Sequence, residues 1–97
     1  MNFSINFTKN AEKELDDIVY YISWFSLTIA RKFIYDINNF ISENIWFMPY
    51  MFRVYKDNIR FCPYWNYLIF YEIIEKKKKV DILHIVHGAR DLSNLDF

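Results

Sequence analysis

The sequence predicts an α+β fold in which a helical hairpin covers one face of a mostly antiparallel sheet. Three observations carry this. Phe3, Ile5 and Phe7 alternate with Asn2, Ser4 and Asn6, the period of a half-buried strand. From Ala11 to Ile45 the apolar residues recur every three to four positions, the period of helices. After Pro49 the pattern changes to aromatic and β-branched runs separated by short polar segments. The resulting order is β-α-α-β-β-β, with the far face of the sheet left open.

Each element has a local cause. Thr8 is placed to cap the first helix, whose apolar face is Ala11, Leu15, Ile18, Val19, Ile22 and Phe25. Glu12, Glu14, Asp16 and Asp17 fall in its N-terminal half, where the helix dipole favours acids. Ser26 caps a second helix after a very short turn, so the two must lie antiparallel. Its apolar face is Ala30, Phe33, Ile34, Ile37, Phe40, Ile41 and Ile45; Asn44 offers a stop, and Pro49 forbids continuation. Tyr50 to Tyr55 reads as irregular or weakly extended, and Ile59 to Tyr64 as a strand. Strands at 67–74 and 80–87, joined by the charged turn Glu75 to Lys79, form an antiparallel hairpin. Asp91 to Phe97 is a short tail whose Leu92, Leu95 and Phe97 are suited to docking back.

Ninety-seven residues support one domain, spanning 1–97, with one core. The chain is 54% hydrophobic and 22% aromatic, which excludes a disordered or collagen-like class. So many rings in a small domain imply either an apolar groove for a partner or a bulky core with tyrosine edges left wet. Twelve basic and twelve acidic side chains cancel, against a generic nucleic-acid binder. Residues 1–45 hold four basic and six acidic groups, and residues 46–97 hold eight and six, so the sheet half is slightly cationic. Cys62, the sole cysteine, reads as a buried structural thiol. With no leader and no apolar run of membrane-spanning length, a cytoplasmic location is expected.

Arg53, Arg60 and Arg90 are candidates to converge on one face, where guanidinium groups recognise phosphate or carboxylate. His84 and His87, three apart on one strand, point to opposite faces and cannot share a metal. The alternation places His84 with Val80, Ile82 and Val86, and His87 with Asp81, Leu83 and Ile85. His87, beside Gly88, is a candidate general acid/base or phosphate donor, against the plainer reading of a hydrogen-bonded structural histidine. No metal constellation, phosphate loop or nucleophile motif is visible, and no cofactor is expected. Lys76 to Lys79 read as a solvated turn. Tyr55, Tyr64, Tyr67 and Tyr71 suit base stacking or packing.

Set in order, several segments resemble one family. They are F-T-K-N-A-E-K-E-L-D-D-I (Phe7 to Ile18), F-M-P-Y-M-F-R-V (Phe47 to Val54), I-R-F (Ile59 to Phe61), N-Y-L-I-F-Y-E-I (Asn66 to Ile73) and I-L-H-I-V-H-G-A-R-D (Ile82 to Asp91). The chain resembles the RelE/ParE superfamily of toxins from type II toxin–antitoxin systems over nearly its whole length. The resemblance implies a compact toxin silenced by an antitoxin that drapes a helix and an extended segment over it. RelE-like members cut mRNA in the ribosomal A site without a metal, which would make His87, Arg90 and Arg60 catalytic. ParE-like members are not enzymes and poison DNA gyrase, which would make Arg53, Arg60, His87 and Arg90 a target-binding surface. The usual central lysine pair is reduced to Lys56, the tail ends in Phe97 without a hydroxyl, and net charge is zero. These departures favour the ParE-like branch. A third class is an inert interaction module, distinguished by expression that harms no cell.

Overall fold

The computed structural model describes residues 3–88. Five strands and two helices follow one another as β1 (Ser4–Phe7), α1 (Lys9–Ser23), α2 (Leu27–Phe40), β2 (Arg53–Lys56), β3 (Ile59–Tyr64), β4 (Tyr67–Ile74) and β5 (Lys79–His87). The sheet order is β1-β5-β4-β3-β2. β2 through β5 form antiparallel neighbours, while β1 lies parallel to β5 at the opposite edge. A parallel partner needs a long crossover, and the whole α1–α2–β2–β3–β4 segment supplies it. The weakly extended stretch expected at Tyr50 to Tyr55 becomes a true strand only from Arg53, so the sheet has one strand more than the sequence pattern resolved.

Thr8 does more than cap. Its hydroxyl accepts from the Ala11 N–H and donates to the Ile82 carbonyl at 2.8 Å, so helix start and β5 are tied through one side chain. Ser26 Oγ accepts from the Ile29 N–H and starts α2 as expected. The second helix does not stop at Asn44. Its last turn, Ile41–Ile45, widens to π geometry, and the Asn44 side chain donates back to the Phe40 carbonyl. The widened turn keeps Ile41 and Ile45 both buried in the core.

The main core lies between the helices and the sheet. Ala11, Ile37, Ile41 and Ile45 meet Ile69, Tyr71, Ile73, Val80, Ile82 and Ile85, with Leu15, Ile18, Phe33 and Phe40 packed around them. Phe25 leaves the expected apolar face: α1 ends at Ser23, and Phe25 is 76% exposed in the turn. The sheet face away from the helices is not an open polar surface. It carries a second cluster of Ile59, Phe70 and Val86, with Phe61, Leu68 and Leu83 against them, and Phe70 is only 1% exposed.

One bulge rewrites the alternation of β5. Phe70 pairs with His84 but Tyr71 pairs with Ile82, so Leu83 is an extra residue. Val80, Ile82 and Ile85 therefore all face the helices, whereas His84 joins Phe70 and Val86 on the other face. His87 shares its face with Ile85 as the alternation predicts, but not with Asp81 and Leu83. His84 and His87 still point opposite ways, as their spacing requires.

Cys62 is fully buried, and burial pushes its thiol up to about 12. Below the unfolded-chain value of 9.0 both states hold a neutral thiol, and the contribution to stability is complete. As pH rises from that value towards the folded one, only the unfolded chain ionises and the contribution is lost. The native thiol is expected to react with a disulfide reagent at pH 8 roughly a hundredfold or more slowly than in the urea-unfolded chain. Equal rates would place Cys62 at the surface.

Candidate functional site

Arg60 and Tyr71 form one structural unit. They pair across β3 and β4 and face the helices. Arg60 Nη1 donates to the carbonyls of Tyr50 at 3.0 Å and Phe52 at 2.6 Å, and its guanidinium lies 5.2 Å from the Tyr50 ring centre. The buried Tyr71 hydroxyl donates to the Pro49 carbonyl at 2.6 Å. Together they pin the loop between α2 and β2 onto the sheet. Tyr50 in turn donates its hydroxyl to Glu75, which also pairs with Lys78. These two partners hold the Glu75 carboxyl below its ordinary pKa, Lys78 first.

Arg53 is exposed at the head of β2 and pairs with Phe61, the neighbour of Phe70. It therefore sits on the face opposite Arg60, and the two do not converge as the sequence suggested. His87 ends β5 opposite Tyr67, whose ring it meets edge-on at 5.8 Å. Tyr67 is four residues from Tyr71 along β4, so His87 and Arg60 are separated by about 13 Å of strand in addition to the sideways distance. Gly88 donates its N–H to the Asn66 carbonyl at 3.0 Å, joining the end of β5 to the β3–β4 turn. Arg90 and the tail from Asp91 to Phe97 lie outside the described residues.

The charged turn resolves into pairs. Lys78 takes left-handed backbone (φ 50°) and bonds Glu75, and Lys79 pairs with Asp81 at 3.4 Å. Of the four tyrosines, Tyr71 is spent in the core and Tyr64 packs on Phe33 and Phe40. Tyr67 meets Phe33 and His87, and Tyr55 meets Phe61 and Phe70.

Two features escaped the sequence reading. Glu14, read as a solvated helix acid, reaches the edge of β5 just beyond the end of β1. Its carboxylate accepts from the Ile85 N–H at 3.0 Å and lies 2.9 Å from His84 Nδ1. It fills the ladder position that β1 no longer supplies, and the plain structural reading of a strand histidine holds for His84. No spacing signal links residues 70 apart.

The second feature is Trp65. Tyr64 pairs with Tyr67, so Trp65 and Asn66 form a two-residue hairpin turn with φ 56° at Trp65. Glycine ordinarily fills such a position. A bulky residue there costs about 1–2 kcal/mol, and Trp65 is 86% exposed, so burial returns little of it. Asn66 beside an aromatic residue was the only hint of this turn. Tyr20, Tyr21, Trp24, Phe25, Leu27 and Ile29 are also more than half exposed around the helical hairpin tip. No helix among the described residues is long and apolar enough to cross a membrane.

A family model described as the ParE toxin of type II toxin–antitoxin system, parDE, matches residues 5–92. The chain belongs to the ParE toxin family. No curated protein matches it. Among solved structures, the chromosomal ParDE toxin–antitoxin system from P. aeruginosa is similar over 88% of this chain and 95% of that one, at 19% identity and a TM-score of 0.67. The RelBE2 toxin–antitoxin complex from Mycobacterium tuberculosis is similar over 90% of this chain and 99% of that one, at 15% identity and a TM-score of 0.66. At such identities the likeness concerns the fold. The ParE match spans both helices, all five strands and His87, so the expected α+β toxin fold and the expected family are found together.

Proposed function

We propose that this ParE-family chain is a growth-arresting toxin that inhibits DNA gyrase and is neutralised by a cognate antitoxin. It acts in the cytoplasm as a single domain. The contact surface is the end of β5, with His87 and, two residues past Gly88 in sequence, Arg90. Arg60 positions the loop between α2 and β2, and Arg53 is an exposed cation on the other face of β2.

The observation that carries this reading over the ribonuclease alternative is the separation of Arg60 from His87. Cleavage by an attacking 2′-OH needs a base, an acid and a phosphate-binding cation within hydrogen-bond reach of one phosphate. Arg60 spends donor capacity on two backbone carbonyls, and a strand length of about 13 Å lies between it and His87. A protein target asks for no such convergence. Zero net charge also suits a protein target better than ribosomal RNA.

The test is induction of this chain alone in a bacterial host, with growth, DNA integrity and mRNA integrity followed together. Growth arrest with DNA breaks and intact mRNA is expected. Arrest with translation-dependent mRNA cuts would move the chain to the ribosomal branch, and normal growth with soluble protein would leave an inert module.

A further inference from the structure

Trp65 projects beside a shallow apolar groove of about 290 Å³. Ile22, Ile29 and Phe33 form its helical wall, and Tyr64, Trp65 and Tyr67 form the other. Lys32 and Asp36 border it but bond each other at 2.9 Å, which leaves the rim without net charge. We infer that this groove is the seat of an apolar helix face of the antitoxin, with the Trp65 indole as its main anchor. The inference rests on the functional reading above and specifies where the partner is held.

Three observations select this occupant. A bulky residue at positive φ is retained against its backbone preference while its side chain stays in water, so neither local conformation nor the core explains it. Tryptophan in that position supplies a large, rigid contact, the type that dominates binding energy at interfaces. The nearby strand edge does not favour an added strand: β2 pairs only with residues 59–61, and the stretch of β3 beyond carries Pro63, which has no N–H. Recognition must then come from side chains, and a helix offering apolar residues at i, i+3 and i+4 meets that need. The uncharged rim accepts an apolar stripe without leaving a buried charge unpaired.

The location also explains how neutralisation works. Tyr67 lines the groove and contacts His87, while Asn66 accepts from Gly88. A helix seated against Trp65 and Tyr67 covers the approach to the end of β5. Antitoxin and target then compete for adjoining surface, with no conformational change required of the toxin.

Trp65→Gly tests this because the fold and the interface respond in opposite directions. Glycine accepts the turn's φ, so the variant is expected to melt at the same or a higher temperature than the parent chain. Its affinity for the purified cognate antitoxin, the protein whose co-expression lifts growth arrest, is expected to fall at least about tenfold. Trp65→Asn, which also tolerates positive φ, should behave alike. A smaller loss of affinity in both variants, with the parent chain toxic and antitoxin-bound, would overturn the inference alone. So would lost growth arrest with antitoxin binding retained, which would assign the turn to the target. A parent chain that neither arrests growth nor binds an antitoxin would overturn the functional reading, and this inference with it.

Discussion

Tyr71→Ala is expected to remove most of the stability of this chain. The ring is fully buried between the helices and the sheet, and its hydroxyl holds the Pro49 carbonyl at 2.6 Å. Emptying an aromatic site of this kind costs about 3–5 kcal/mol, where a whole domain holds about 5–15 kcal/mol. Urea unfolding should therefore show a midpoint shifted far towards zero denaturant. Tyr71→Phe separates the two contributions: it keeps the ring and removes only the donor to Pro49. That variant should lose about 1 kcal/mol, the usual net worth of one hydrogen bond. A phenylalanine variant as unstable as the alanine one would mean that the loop between α2 and β2, rather than the core, sets stability. Burial raises the Tyr71 pKa above its ordinary value, so the hydroxyl remains a donor throughout the neutral range.

The second large effect concerns function. His87→Ala together with Arg90→Ala is expected to abolish growth arrest on induction, with antitoxin binding retained and a melting temperature within a few degrees of the parent chain. Arg60→Ala is the contrasting control. It removes two charge-assisted bonds to the Tyr50 and Phe52 carbonyls. Its expected cost is about 1–3 kcal/mol of stability, and toxicity should fall only as far as folded protein is lost. Full toxicity in the His87/Arg90 variant would remove the end of β5 from the contact surface. Arg60→Ala that keeps its stability but loses toxicity would return Arg60 to that surface.

These contrasts show why local reading went further with the elements than with the site. Thr8 and Ser26 announced both helix starts, because a cap needs only a hydroxyl three residues before the N–H it accepts from. The runs at 59–64 and 67–74 matched β3 and β4 because their ladder groups and apolar content are local properties. The end of α2 failed for a similarly local reason: Asn44 looked like a stop but satisfied itself on Phe40, and the apolar Ile41 and Ile45 drew the next turn into the core.

What the sequence by itself determined was the α+β class, the helical hairpin, the strands from residue 59 onward and the resemblance to a family later matched over residues 5–92. All rest on period, capping and segment order, which act over a few residues or along the chain. Only the tertiary structure decided which side chains meet. The β1–β5 pairing and Glu14's hold on Ile85 join residues some 70 apart. One extra residue at Leu83 moved His84 to the other face, because side-chain direction alternates with a period of two and a bulge resets it. Pairing register likewise put Arg53 and Arg60 on opposite faces and turned Trp65 outward. Composition carries no record of register, and the register decided which of the candidate residues stand together.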